Sequence, residues 1–389
     1  MRTAVSVPNV TRVELITDPG ALEPLEPEWR ELAVRTGNAF VTPEWFGAWW
    51  RHYGDGHEPL VCVARDLEGR LRGLLPLVAS GASASTARFA GSGLGDLFHP
   101  VAAASDEAAV AVAAGLELRE RRGVPTLVLE NVVADAGWWQ DLSASLGIRS
   151  RPLVHRPSVL PSANLAGRTF EEYLAARSRN LRSQVGRKRR ALEREHEVRI
   201  RWTRESNEVS ADVATLFRLH DSRWRARPGA SSLSGASARA FHSDFAALSH
   251  ARGWLRLCFL EVDGEPVAAW YGWRLGERFA YYQAGFDPSW AGASVGFVLF
   301  AETIRAACVE GAGHYDMLLG DEPYKARFAD STISVCTALV APILRPARML
   351  GSLESGLRRA SQRLPARVRE PVKARARSLL DGLPMARRR

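Results

Sequence analysis

Alternating apolar positions in the first part of the chain predict a strand hairpin, a helix and a further strand. Residues 60–80, "LVCVARDLEGRLRGLLPLVAS", hold two apolar runs separated by turn residues at Glu68 and Gly69. An alanine-rich stretch over 105–121 has helical spacing, and the apolar run "TLVLENV" at 126–132 suits a buried strand. These elements predict a compact α/β unit.

The same order of elements returns in the second half of the chain. Residues 254–286 predict three antiparallel strands, with Gly264 and Gly276 in the hairpin turns. A predicted helix over 294–310 and a strand in "HYDMLLG" at 314–320 follow. The recurrence of one pattern at a nearly constant offset predicts a duplicated α/β unit.

The segment between the two units is rich in proline and divides the chain. Residues 151–161, "RPLVHRPSVLP", predict a connecting strand or linker. We therefore expect an N-terminal module over 1–160, a C-terminal module over 161–345 and a basic amphipathic tail over 346–389. The fold class expected is α/β (α+β), in which each module has a mixed, mainly antiparallel sheet flanked by helices.

Composition is that of an ordinary globular protein. The 389 residues are 46% hydrophobic and 24% charged. Apolar runs in the sequence are too short for a signal peptide or a membrane span, so we expect a cytoplasmic protein. The four cysteines are far apart and form no CxxC pair, and neither a disulfide framework nor a metal site is predicted.

Positive charge is concentrated in two zones. Residues 177–204 hold 11 basic and 3 acidic side chains, and residues 345–389 hold 13 and 3, in a chain of formal charge +9. The first zone suits a polyanion, and the phosphates of coenzyme A (CoA), an acidic acyl-carrier protein and the acceptor end of a transfer RNA remain open. The second zone has a leucine stripe. It can be disordered, dock on its own domain or contact an anionic membrane peripherally.

Order, spacing and chemistry agree with a known family over more than sixty residues. The longest matching stretch is "GEPVAAWYGWRLGERFAYYQAGFDPSWAGASVGFVLFAETIRAACVEGAGHYDMLLGDEPYKARF" at 264–328. Two shorter matching stretches precede it in the chain: "SRNLRSQVGRKRRALERE" at 178–195 and "LHDSRW" at 219–224. The chain resembles the BioF2-like (CelD/BcsL) bacterial acetyltransferases of the GNAT superfamily, which are related to the Fem aminoacyltransferases. The resemblance implies tandem GNAT-like modules, with an acyl-CoA such as acetyl-CoA bound by the second module.

The stretch "AGASVGF" matches the place of the GNAT pyrophosphate signature, with glycine only at Gly292 and Gly296. It runs from a turn into a helix, so the backbone amides of Ser294, Val295, Gly296 and Phe297 are candidate donors to a phosphate or a pantetheine amide. In the alternative interpretation, Ser294 is only an N-cap and Gly296 only permits close packing.

Candidate catalytic groups follow the last predicted strand of the match. Lys325 lies in "YKARF", which keeps the form of the functional lysine motif of Fem-like enzymes, and its ammonium suits an oxyanion or a phosphate. Asp316 is a candidate base for an amine or hydroxyl, or else a structural partner of an arginine. Tyr324 is a candidate acid for the leaving thiolate, or else a packing residue.

Candidate acceptor-binding residues come from a helix and a strand. His220 and Trp224 lie on one face of the helix predicted over 211–227, although a histidine on an apolar stripe is commonly a core residue. Tyr281 and Tyr282 alternate across their strand, so only one can face the pocket, and Tyr282 is the one assigned to the substrate.

The sequence thus predicts an acyl-CoA-dependent N- or O-acyltransferase, in the first place an acetyltransferase, that uses no metal. Its acceptor is expected to be a sugar, a polysaccharide precursor or another small metabolite that attacks the thioester directly. One alternative is a Fem-like transferase that uses aminoacyl-tRNA and acts on a cell-envelope precursor, the only case in which nucleic acid is expected. The other is a non-catalytic, anion-binding member of the fold.

Overall fold

The computed structural model describes residues 10, 12–80, 86–123, 125–148, 152–224, 233–320 and 322–341. The tail predicted over 346–389 lies outside the described residues, and so does the side chain of Trp224. The described chain is a mixed α/β protein, as predicted, with a large mixed sheet flanked by helices.

Thirteen strands of the described chain join in one mixed sheet. They are β1 (Arg12–Ile16), β2 (His57–Arg65), β3 (Leu71–Ser80), β4 (Thr86–Phe89), β5 (Val101–Ala102), β6 (Thr126–Val133), β7 (Leu153–Asn164), β8 (Val198–Trp202), β9 (Leu255–Val262), β10 (Glu265–Leu275), β11 (Arg278–Phe286), β12 (His314–Asp316) and β13 (Ser331–Val340). Their spatial order is β1-β2-β3-β4-β6-β13-β7-β12-β11-β10-β9-β8, and β5 pairs with β3 outside this path.

Helices cover both faces of this sheet. They are α1 (Glu26–Thr36), α2 (Pro43–Tyr53), α3 (Glu107–Arg122), α4 (Trp138–Ser145), α5 (Phe170–Ala175), α6 (Arg179–Glu195), α7 (Val209–Trp224), α8 (Ala236–Ala251), α9 (Val295–Val309) and α10 (Pro323–Phe328). The basic stretch over 170–195 forms two helices because Ser178 caps a new helix, accepting a hydrogen bond from the Leu181 amide.

Strands β7 and β13 connect the two halves of the chain. β7 pairs antiparallel with β12 on one side and with β13 on the other, and β13 also pairs with β6. The boundary expected after residue 160 falls inside β7, and the division of the chain into modules stays a prediction. Through these pairings, the strands of both halves belong to one sheet.

Aromatic side chains from both halves also share a core. The Phe40 ring lies 5.7 Å from the Trp273 ring, and the Trp45 ring lies 4.9 Å from the Phe245 ring, as measured between centroids. A separate core on the opposite face of β10 and β11 holds Trp270 together with side chains of α6 and α9. Each face of these two strands therefore has its own packed surroundings.

The parallel strands β11 and β12 separate soon after they meet. They pair over only three residues, from Arg278 opposite His314 to Ala280 opposite Asp316. β11 then continues to Phe286, whereas the chain leaves β12 through Leu318, which has a left-handed φ of 51°. The strand predicted over 314–320 is shorter for this reason, and a gap opens between the two strands.

Candidate donor cleft and acyl-transfer site

A cleft of about 260 Å³ lies between the second half of β11 and the beginning of α9. Its lining includes Trp270, Tyr281, Phe286, Phe300 and Tyr324, together with all four residues of the predicted donor cradle. The walls are thus largely aromatic, and backbone amides lie at one end. Such a pocket suits a slender, partly polar ligand.

The first turn of α9 presents free amides to this cleft. Phe297 and Val298 donate their amide hydrogens to the carbonyl of Ser294, at 3.0 and 3.1 Å. Among the described residues, no acceptor is found for the amides of Val295 and Gly296. Unpaired amides at a positive helix end favour an anion or a carbonyl oxygen.

The Ser294 side chain binds a lysine from another helix instead of capping its own. The Nζ atom of Lys188 on α6 donates to the Ser294 Oγ at 2.6 Å and lies 5.7 Å from the centre of the Phe297 ring. Ser294 occupies the N-cap position with a left-handed φ of 59°, and its hydroxyl makes no capping hydrogen bond. The cradle is therefore flanked by a positive charge.

Sequence reasoning had not singled out Lys188 within its run of charges. The helix face on which Lys188 lies could nevertheless be predicted. Lys188 comes seven residues after the buried Leu181 and therefore falls on the same face of α6. Arg223 of α7 is a second cation in the lining of the cleft, where it donates to the Ala284 carbonyl at 3.2 Å. Two cations thus border the cleft.

Lys325 lies behind the aromatic wall of the cleft. Its side chain is only 4% exposed, and its Nζ donates to the Leu319 carbonyl at 2.7 Å and lies 3.1 Å from the Glu322 carboxylate. The same atom lies 5.2 Å from the centre of the Tyr281 ring, which lines the cleft. Gly320, with φ of 137°, permits this approach because a Cβ there would lie 2.5 Å from the Lys325 Nζ.

Asp96, from the loop after β4 in the first half of the chain, lies within electrostatic range of this lysine. Its carboxylate accepts a hydrogen bond from the Leu319 amide at 3.1 Å. Withdrawal of the group from water raises the pKa of Asp96 to about 7, although the Leu319 amide and the charge of Lys325 act in the opposite direction. Such a carboxyl group exchanges a proton near neutral pH.

Tyr324 also contributes to the wall of the cleft. Its hydroxyl donates to the Tyr281 hydroxyl at 3.4 Å, and its ring meets the Phe300 ring edge to face. Burial, assisted by Tyr281, raises the pKa of Tyr324 far above its ordinary value. The phenol therefore keeps its proton at neutral pH.

Asp316 lies away from the donor cleft. Its carboxylate accepts two hydrogen bonds from the Arg278 Nη1, at 2.9 and 2.8 Å, and one from the Ser162 hydroxyl at 2.8 Å. It lines a second pocket, between the two halves of the chain. This arrangement favours the role of structural partner to an arginine, and a catalytic role for Asp316 stays a prediction.

The predicted acceptor residues do not meet at the cleft. His220 is buried in α7, where burial lowers its pKa to about 4, and it does not belong to the lining of the cleft. The Tyr282 hydroxyl donates to the Leu94 carbonyl at 2.8 Å on the opposite face of β11, so Tyr281 is the tyrosine that faces the cleft. With the Trp224 side chain outside the described residues, these three roles stay predictions.

The described part of the chain has neither a metal-ligand cluster nor a membrane-spanning helix. Within the described ranges, no group of three or more His, Cys, Asp or Glu side chains is placed to hold a metal ion. None of the helices described above is long and apolar enough to cross a membrane.

The second half of the chain is similar in sequence to a known kind of domain. Residues 179–326, which include α6, the cradle and Lys325, match the family described as an acetyltransferase (GNAT) domain. This part of the chain is therefore similar to a GNAT acetyltransferase domain. A search of curated proteins found no match.

Solved structures share the fold of this chain. FemX shares 11% sequence identity, with 84% of this chain and 96% of FemX covered at a TM-score of 0.59. The C-terminal domain of a putative lysylphosphatidylglycerol synthetase from Agrobacterium fabrum shares 13%, with 84% and 95% covered at 0.55. L-PGS from Bacillus licheniformis shares 12%, with 88% and 96% covered at 0.52. At these identities the likeness concerns the fold alone, and it extends over both halves of the chain.

Proposed function

We propose that the protein is an acyl-CoA-dependent N- or O-acyltransferase, in the first place an acetyltransferase of the BioF2-like type. One observation carries the proposal: free amides at the beginning of α9, the ammonium of Lys188 and the wall in front of Lys325 border a single cleft. A sugar, a polysaccharide precursor or another small metabolite is the acceptor class in this proposal. Cytoplasmic location and peripheral contact with an anionic membrane through the tail also remain proposals.

The donor is proposed to bind with its acyl-pantetheine arm in the cleft. The amides of Val295 and Gly296 suit a pantetheine carbonyl or the pyrophosphate, and Lys188 adds a positive charge beside them. The aromatic walls exclude water from the arm, which strengthens the polar contacts at its ends. The nucleotide would then lie at the surface beside α6, whose exposed face is rich in arginine.

The transfer itself is proposed to use Lys325, Asp96 and Tyr324. Asp96 accepts the proton of the attacking amine or hydroxyl while the new C–N or C–O bond forms at the thioester carbon. The charge of Lys325, acting across the Tyr281 ring, stabilises the negative charge on the carbonyl oxygen, and the C–S bond then breaks. The Tyr324 phenol, which keeps its proton, donates a hydrogen bond to the departing thiolate; the thiolate then takes up a proton from solvent, and Asp96 releases the acceptor proton to solvent.

Calorimetric titration distinguishes this proposal from its rival. We expect CoA to give a saturable heat with the full chain, and unfractionated transfer RNA to give none at about 200 mM salt. RNA binding that persists at about 200 mM salt, with no heat from CoA, would contradict the proposal.

The rival is a Fem-like transferase that uses aminoacyl-tRNA. Fold likeness to FemX over 84% of this chain is the observation that favours it. In that reading the arginine-rich face of α6 contacts RNA phosphates instead of CoA. The same titration, repeated at about 50 mM salt, separates specific RNA binding from general attraction, since both weaken as salt rises but only specific binding is still detected at about 200 mM.

A further inference from the structure

A second pocket, of about 430 Å³, lies between the two halves of the chain on the face of the sheet opposite the donor cleft. Alternation along β11 separates the two, because Tyr281 lines the cleft and Ala280 lines this pocket. Its walls are mostly apolar: they include Leu32, Phe40, Leu97, Leu160, Trp273 and Leu318. A sugar ring with many hydroxyls would find few partners there.

Arg278 brings a fixed positive group into this pocket. Its Nη1 is occupied by Asp316, but among the described residues no acceptor is found for its Nε and Nη2. The side chain crosses directly over Gly37, where a Cβ would lie 2.6 Å from the Arg278 Cδ. The guanidinium is thereby held in place, with two donors still available.

Glu107 and His99 add a negative group and a neutral acceptor. The Glu107 carboxylate has no hydrogen-bond donor among the described residues, and its Oε1 lies 3.8 Å from the His99 Nδ1. That Nδ1 lies 2.7 Å from the Pro100 carbonyl and so carries the hydrogen, which leaves Nε2 as the acceptor. Burial, together with the charge of Arg278, lowers the pKa of His99.

The other charged groups of the lining are already paired. Arg35 donates to Glu31 on its own helix, and Asp316 is held by Arg278. Among the charged groups of the described lining, Arg278 and Glu107 therefore keep free hydrogen-bonding capacity in a mostly apolar pocket. A ligand that carries only a carboxylate would leave Glu107 without a partner, and one that carries only an amine would leave Arg278 without one.

We propose that this pocket binds an α-amino acid with a large apolar side chain, whose carboxylate meets Arg278 and whose ammonium meets Glu107 and His99. In this proposal, the apolar side chain of the amino acid lies among the leucines and the Trp273 ring. The site is independent of the proposed acyl-donor function, because its residues line the opposite face of the sheet from the donor cleft.

Three probes test the two head-group contacts separately. L-Phenylalanine, 3-phenylpropionate and 2-phenylethylamine share one ring and differ in which charged group they carry. At pH 8, where carboxylates are ionised, calorimetry with the full chain should show L-phenylalanine binding at least about tenfold more tightly than either analogue. Each analogue lacks one charged group, and loss of a charge-assisted hydrogen bond lowers affinity by about this factor.

Matched variants assign each contact to its residue. Glu107→Gln should weaken L-phenylalanine about tenfold while 3-phenylpropionate stays within a factor of about two. The double variant Arg278→Met with Asp316→Asn removes both members of this ion pair together, and it should weaken 3-phenylpropionate and L-phenylalanine but not 2-phenylethylamine. Ile333→Trp, at the partly exposed rim, should weaken all three probes by narrowing the pocket.

Several results would overturn the proposal. They are no binding of L-phenylalanine, equal affinities for the three probes, and binding that Ile333→Trp leaves unchanged. Titration of CoA into the same samples reports on the donor cleft alone. Normal CoA binding without amino-acid binding therefore rejects this site and leaves the proposed function standing, whereas the reverse result rejects the donor and keeps the site.

Discussion

The Nζ atom of Lys188 lies 2.6 Å from the Oγ atom of Ser294, which joins α6 to the beginning of α9 at the mouth of the donor cleft. The contact fixes an ammonium beside two amides that have no internal acceptor among the described residues. A run of arginines and lysines on α6 thus contains one cation that belongs to the cleft.

Replacement of Lys188 should weaken the donor. We expect Lys188→Met to lower CoA affinity about tenfold, because a charge-assisted contact to a phosphate or carbonyl is lost. Arg187→Met is the matched control, since Arg187 is an exposed cation on the same helix and loses the same charge. Calorimetric titration of both variants checks this, and equal losses would mean that only the general charge of α6 matters.

A side chain at Gly296 should obstruct the cleft without disturbing the fold. A Cβ there would lie 3.7 Å from the Phe286 ring, an ordinary contact, and it would enter the space assigned to the donor. We expect Gly296→Val to reduce CoA affinity about tenfold or more, with a melting temperature within a few degrees of the wild type. Gly292→Val is the control, because no atom lies within 4 Å of its added Cβ. Unchanged CoA affinity in Gly296→Val would show that the beginning of α9 does not bind the donor.

Lys325→Met should separate catalysis from binding. The ammonium lies behind Tyr281 and is proposed to act on the thioester carbonyl, so the transfer rate should fall about 100-fold or more, in the range found for loss of one oxyanion donor. CoA affinity should remain within about threefold. Thiol release from acetyl-CoA, with the acceptor that is fastest for the wild type, measures the rate. Arg327→Met, on the same short helix, should retain it, and an equal loss in both variants would point to damage of α10.

Asp96 should set the pH dependence of transfer. Its pKa is raised to about 7, so the ionised base is scarce below pH 6 and abundant above pH 8, and the rate should rise through this range to a plateau. Asp96→Asn should lower the rate about 100-fold, as expected for removal of a general base, and abolish the rise. A variant that keeps the same pH profile would assign the base elsewhere, with Asp316→Asn as the next variant to test.

Local patterns were sufficient for most of the sheet of the second half. The three strands over 254–286 are confirmed, with Gly264 and Gly276 at positive φ in the turns. Glycine at such a position is a strong sequence signal of a two-residue hairpin turn. β12 ends after three residues because Leu318 takes a left-handed conformation that its type does not indicate. β13 was not predicted, since its apolar run carries no sign of pairing with strands of the first half.

The candidate site, like the sheet, was only partly predictable from local sequence patterns. The cradle over 294–297 follows from a turn that leads into a helix, which is local information. Asp96 comes from a glycine-rich loop more than 200 residues before Lys325, and only the folded chain brings the two together. The choice between Tyr281 and Tyr282 depended on which face of β11 holds the cleft, and alternation alone does not decide that.

The position of β13 has a consequence for biosynthesis. Its neighbours in the sheet, β6 and β7, emerge from the ribosome well over 150 residues earlier, and each leaves an edge open until β13 arrives. Open edges invite pairing with other chains, so the nascent protein should depend on chaperones during this interval. Late closure of a long-range strand pair also predicts slow refolding from denaturant, with the far-ultraviolet signal of the helices recovering before that of the completed sheet.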